Sequence, residues 1–165
     1  MKIVFRLVLF VALLALGVWL WFVLFPSPEK IIRQRLTKLA HTASFSSGES
    51  DLARLAAAQS LAGYFATNVE INLDVPGRLQ HRLLGRDEIQ QAALGARESL
   101  ASLKITFPDL NVTVAPDKQS AVVDVTVVAN AAGQSDSFVQ QMKFTFQKTE
   151  DGWLISRVET VRTLS

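Results

Sequence analysis

Apolar and polar residues divide this chain into three regimes. From Leu7 to Phe25 the run LVLFVALLALGVWLWFVLF holds no charged and no strongly polar residue. From Ser27 to about Leu100 apolar residues recur mostly at helical spacing, and from Leu103 onward they alternate. As a helix, the first run is roughly 28 Å long, which matches a bilayer core of roughly 30 Å. Trp19, Trp21 and Phe22 fall near its C-terminal end, where aromatic rings suit the headgroup interface. The pattern predicts a membrane anchor formed by Leu7, Phe10, Leu14, Trp19, Trp21, Phe22 and Phe25. Cleavage is not expected: Pro26, Ser27 and Pro28 follow the run, and Phe25 is too large for a small-x-small signal site. The division expected is an anchor over 1–26 and one folded domain over 27–165.

Ser27-Pro28-Glu29-Lys30 starts a helix, with Ser as cap, Pro in the first turn and Glu complementing the dipole. Ile32, Leu36, Leu39 and Ala43 give it an apolar line. Lys30, Arg33, Arg35 and Lys38 on this helix meet either lipid headgroups or solvent. Ser50 caps a second helix, Asp51 to about Phe65, with Leu52, Leu55, Ala56, Leu61, Ala62 and Phe65 as its apolar side. Its alanines permit close packing. Asn68 to Val75 alternates strictly and reads as a half-buried strand; Pro76-Gly77 is a turn, and a short strand follows over Leu79 to Leu84. Asp87 is the expected cap of a third helix reaching about Leu100, lined by Ile89, Ala93, Ala96 and Leu100. Four strands complete the pattern. They are Leu103 to Val114 with a bend at Pro108-Asp109, Ala121 to Ala129, Ser137 to Lys148, and Trp153 to Leu164. Thr149 to Gly152 is a hairpin signal. The expected class is α+β: three helices packed on an antiparallel sheet, behind a single transmembrane helix.

Charge and composition narrow the function. Lys2 and Arg6 account for the formal net charge of +2, so the chain from Ser27 onward balances acid and base. That argues against a nucleic-acid binder, which needs a concentrated basic surface. There is no cysteine, and His41 and His81 stand alone, so no metal and no cofactor is expected. Cationic residues counted alone favour the opposite orientation. The short charged segment directly before the span sets the expectation instead: N-terminus inside, domain outside, in a bacterial inner membrane.

Leu84-Gly85-Arg86-Asp87-Glu88-Ile89 at the third helix, Asp151-Gly152-Trp153-Leu154-Ile155 into the last strand, and the order of the elements resemble the nuclear-transport-factor-2-like superfamily. SnoaL-like and ketosteroid-isomerase-like domains belong to that superfamily. The resemblance covers about Pro28 to Leu164. It implies a cone of helices and bent sheet around an apolar cavity, often as a dimer. It implies no single function, because the fold hosts both enzymes and scaffolds.

An isomerase-type site needs a carboxylate base and a donor for the enolate. Tyr64, the only tyrosine, falls near where such enzymes place a phenolic donor. Asp74, His81 and Asp124 are the candidate bases; Asp74 and His81 read more readily as solvated residues, and Asp124 either pairs with Arg157 if it is buried or belongs to a surface pair. No spacing among the four demands catalysis. Phe138, Met142, Phe144, Phe146 and Trp153 alternate onto one side as core or cavity wall. Lys143, Thr145 and Gln147 occupy the other, a mixed face suited to a partner or a dimer. The expectation is a non-catalytic accessory domain holding a membrane-associated protein partner beside membrane lipid. The alternative is a tethered small-molecule-binding domain or SnoaL-like enzyme.

Overall fold

A computed structural model of the chain describes residues 11–17, 26–73, 81–133 and 137–161. In order, α1 covers residues 11–17, α2 Pro28–Ala43, α3 Asp51–Ala62, β1 Phe65–Leu73, β2 His81–Leu84 and α4 Arg86–Ser99. Then come β3 Leu103–Thr106, β4 Leu110–Val114, β5 Ser120–Ala131, β6 Phe138–Thr149 and β7 Gly152–Thr160. The described part of the predicted span is α1, on which Val11, Leu13, Leu14 and Leu16 are exposed. No helix among the described residues is long and apolar enough to cross a membrane. Leu7, Phe10, Trp19, Trp21, Phe22 and Phe25 lie outside the described residues.

The described strands form one sheet in the order β2-β1-β7-β6-β5-β3, with β4 also on β5. Its pairs are antiparallel except β1 and β7, which run parallel. The sheet is therefore mixed, not antiparallel throughout. The exception arises because β1 enters the sheet beside the last strand, from which one helix and five strands separate it in sequence order. The predicted long strand Leu103–Val114 is two strands laid end to end along β5. β3 pairs with Val128 to Ala131 and β4 with Ala121 to Val125. Between them Pro108, which has no N–H to give a ladder, interrupts the pairing. The Asp109 carbonyl resumes it by accepting from Thr126 N at 3.1 Å.

Helices α2, α3 and α4 cover one face of this sheet. Ser27 caps α2 through Lys30 N, and Ser50 caps α3 through Ala53 N. α2 buries Ile32, Leu36, Leu39 and Ala40 against Val69, Val123, Val125, Phe144, Phe146, Trp153 and Ile155. α3 differs from its predicted pattern. It buries Ala58 and Ala62, while Leu52 and Leu55 are 77% and 47% exposed. Its small side chains are what let it lie close to α4; Leu52 and Leu55 are turned outward, and Leu61 packs against the core. α4 is capped by Gly85 (φ 83°) and not by Asp87, and no side chain caps it. Glu88 instead reaches back to accept from Leu84 N at 2.7 Å.

Buried β5 residues Val123, Val125 and Val127 alternate with Val122, Asp124 and Thr126 on the open face. Phe144, Phe146 and Trp153 are core residues and Met142 is half-buried, but Phe138 is 41% exposed. The described part of β7 ends opposite Met142 and Gln141, so Phe138 lies at a stretch of β6 flanked only by β5 among the described strands.

Candidate functional site

Where α3 ends, the chain turns sharply into the sheet. Gly63 N donates back to the Gln59 and Ser60 carbonyls at 3.2 Å, and Tyr64 N donates to the Leu61 carbonyl at 3.1 Å. The Tyr64 carbonyl then accepts from Ile155 N at 3.0 Å, which fixes the residue to β7. Tyr64 is half-buried on the helix-covered side of the sheet. Its hydroxyl lies 3.4 Å from the Thr42 hydroxyl of α2.

The flank of α2 beside its buried stripe faces this turn. Ile31, Gln34, Arg35 and Lys38, with Ser60, Gly63 and Tyr64, enclose a cleft of about 410 Å³. The Arg35 guanidinium carbon stands 5.4 Å from the centroid of the Tyr64 ring, a cation–π arrangement. Arg35 also comes close to the β6–β7 turn. A Cβ on Gly152 would sit 3.8 Å from Arg35 Nη1. Arg35 Nε is buried without a hydrogen-bond partner. The four cations of α2 therefore do not act alike. Arg33 binds the Glu29 carboxylate at 3.0 Å and the Leu110 carbonyl at 2.8 Å. Arg35 turns into the cleft, and Lys30 and Lys38 are exposed. The cleft gathers two cations, two hydroxyls and an amide, and none of its lining residues is Asp, Glu or His. Such a set can hold a polar or negatively charged group but supplies no carboxylate or imidazole to take a proton.

The other sequence-predicted site residues do not join Tyr64. Asp124 is exposed on the open face, opposite Asn111 on β4 and Lys143 on β6. It lines a separate depression of about 310 Å³ with Asp109, Thr126 and Gln141. Arg157 does not reach it; its guanidinium binds Glu70 at 3.2 Å and Glu159 at 3.5 Å. His81 is the first residue of β2, opposite Leu73 on the sheet's edge. Asp74 lies outside the described residues. Lys143, Thr145 and Gln147 alternate on the open face of β6, Thr145 half-buried and the other two exposed. Among the described residues no three His, Asp or Glu side chains gather as metal ligands.

Arg97 is the residue that sequence reasoning missed. It is 4% exposed, and its guanidinium donates to Glu49 at 2.8 Å and to the Thr42 carbonyl at 2.5 Å. It also lies 4.8 Å from the centre of the Phe45 ring. A cation in the last turn of a helix reads as solvated, and nothing nearby in sequence signals otherwise. Its bonds fasten the α2–α3 connection to α4, and a depression there of about 220 Å³ is lined in part by Phe45, Glu49 and Arg97.

No protein-family profile matches this chain. No curated protein sequence matches it either. Solved structures do. An NTF2-like protein with a cystatin-like fold from Novosphingobium aromaticivorans superposes with a TM-score of 0.61 at 19% identity, covering 89% of this chain and 86% of that one. The fold is NTF2-like. A candidate scytalone dehydratase from Novosphingobium aromaticivorans DSM 12444 matches at TM-score 0.60 and 14% identity, over 82% of this chain and 84% of that one. A chain in the yeast deubiquitinase Ubp3 and Bre5 cofactor complex matches at 0.59 and 12%, over 83% and 98%. One architecture thus serves proteins of unlike kind, and fold alone does not choose among them.

Proposed function

We propose that this chain is a membrane-tethered small-molecule-binding domain that holds its ligand in the Tyr64 cleft without converting it. One observation carries the reading. The cleft brings Arg35, Lys38, Gln34, Ser60 and Tyr64 to one opening while lining it with no acid or histidine. Its volume falls in the range of small-molecule sites, roughly 300–1,000 Å³. The dispersal of Tyr64 and Asp124 to opposite sides of the sheet also argues against an isomerase-type pair. In this reading Leu7–Phe25 anchors the domain in a bacterial inner membrane with the domain outside, and α2 starts three residues beyond the anchor.

The test is native mass spectrometry of the full chain purified in a gentle detergent, beside Ser60→Trp, which plugs the cleft from an exposed position on α3. The expected result is a small-molecule adduct on the wild type that is lost from the variant and keeps its mass on incubation. An adduct retained by Ser60→Trp, absent from both, or chemically altered with time overturns the proposal.

A second reading rests on the open sheet face, where Val122 and Val139 are exposed beside Lys143 and Gln147. Such a face suits a protein partner or a second copy of this chain. A gentle-detergent purification tests it: a defined partner or a dimer lost from Lys143→Glu supports it, and a monomer recovered alone sinks it.

A further inference from the structure

We infer that the ligand of the Tyr64 cleft presents an oxyanion, a carboxylate or a phosphate, to Arg35 and Lys38. The inference rests on the proposed binding role of that cleft and names what the cleft would recognise.

Arg35 stands apart from the other described arginines. Arg33, Arg54, Arg82, Arg97 and Arg157 each meet a carboxylate, and Arg86 donates twice to the Phe65 carbonyl. Arg35 has no such partner, and its Nε is buried. A buried N–H left unpaired is unfavourable, and the described protein around it offers no acceptor. The side chain is nevertheless held in place. The Tyr64 ring lies 5.4 Å from the guanidinium carbon, and the backbone at Gly152 passes close to Nη1. A fork fixed in this way is preorganised for two parallel bonds to one oxyanion, the geometry in which arginine surpasses lysine.

The surroundings agree in charge. Lys38 is one helical turn beyond Arg35, lines the same cleft and makes no ion pair among the described residues. Ser60 and Gln34 add neutral donors, and Ile31 supplies an apolar wall. With no acid in the lining, nothing repels an anion or neutralises the two cations. The cleft is much larger than a bare phosphate, so the oxyanion belongs to a larger molecule. That molecule is either a soluble organic acid or phosphate ester, or the headgroup of an anionic phospholipid. The headgroup is within reach if the run ending at Phe25 sits in a bilayer.

Amine labelling of Lys38, read by mass spectrometry against exposed Lys148, tests this on the full chain in lipid nanodiscs. One arm adds inorganic phosphate to discs of phosphatidylcholine. The other uses discs of equal parts phosphatidylcholine and phosphatidylglycerol without phosphate. Slower labelling of Lys38 alone in the first arm identifies a soluble oxyanion, and in the second a lipid headgroup. Arg35→Gln is expected to weaken the protection about tenfold or more. Arg35→Lys is expected to recover only part of it. A thermal melt of each variant confirms that the fold persists, and Ser60→Trp, which leaves both cations in place, serves as a second blocked control. Unchanged Lys38 labelling in both arms, or slowing matched by Lys148, overturns the inference. If Ser60→Trp still loses a neutral adduct while Arg35→Gln keeps it, the cleft binds a ligand but not through an anion. Loss of both readouts removes the binding role as well.

Discussion

The guanidinium of Arg97 donates to the Glu49 carboxylate at 2.8 Å from a side chain only 2% exposed, while Glu49 remains 28% exposed. The two members of the pair are therefore not equivalent. Removing Arg97 empties a buried volume beside Phe45 and leaves the Thr42 carbonyl without its donor. Removing the Glu49 charge leaves Arg97 its bond to Thr42 and a neighbour reachable by water. Arg97→Ala is expected to destabilise the full chain by about 2–3 kcal/mol, and Glu49→Gln by about 1 kcal/mol. Urea unfolding followed by circular dichroism measures both, and equal losses would contradict the asymmetry.

The packing of α3 makes an opposite prediction for large and small residues. Ala58 is fully buried and Ala62 is 2% exposed, whereas Leu52 is 77% exposed. Ala58→Leu forces α3 away from its neighbours and is expected to cost about 1–3 kcal/mol. Leu52→Ser is expected to change stability by no more than about 0.5 kcal/mol. Thermal melts of the two variants separate these outcomes.

Two glycines are expected to respond with opposite signs. Gly95 lies within α4, and a Cβ there meets nothing within 4 Å. Gly95→Ala is expected to stabilise the protein by about 0.5–1 kcal/mol. Gly152 holds φ at +98° and faces Arg35. Gly152→Ala is expected to cost about 1–2 kcal/mol, chiefly from the left-handed backbone. It is also expected to weaken any ligand bound at Arg35, which calorimetry on the same variant reads.

Glu70 lies between Arg82 at 3.6 Å and Arg157 at 3.2 Å on the open face of the sheet. All three side chains are at least a third exposed, so solvent screens the row. Glu70→Gln is expected to lower stability by less than about 1 kcal/mol at low salt, and by less still in high salt. A loss that is large or independent of salt would show a buried role for Glu70.

Much of the element order could be read from the sequence because local physics controls it. Ser27 and Ser50 cap helices, Gly152 closes the last hairpin and Pro108 breaks a strand through interactions within a few residues. The parallel pairing of β1 with β7 was not legible. Period-two alternation in Val69 to Leu73 says that one face is buried, not which strand lies alongside. The inward turn of Arg97 and the outward turn of Leu52 and Leu55 escaped for a related reason. Each depends on how near α3 and α4 approach, which alanine permits but does not impose. Tyr64 stood out as a rare residue near an expected donor position. Its companions did not, since Arg35 and Lys38 look like any other cations on an amphipathic helix.

The pairing of β1 with β7 also sets an order of events during synthesis. Phe65 lies opposite Ile155, and the carbonyl of Tyr64 is held by the amide of that same residue. Contacts so far apart in sequence form late, after the cost of closing the intervening chain has been met. A nascent chain that has reached only β5 can form its helices and the hairpin of β1 and β2, but it has no strand to hold Tyr64 in place. The Tyr64 cleft is then among the last features to mature, and a protein truncated before β7 loses the strand that joins β1 to β6 and fixes Tyr64.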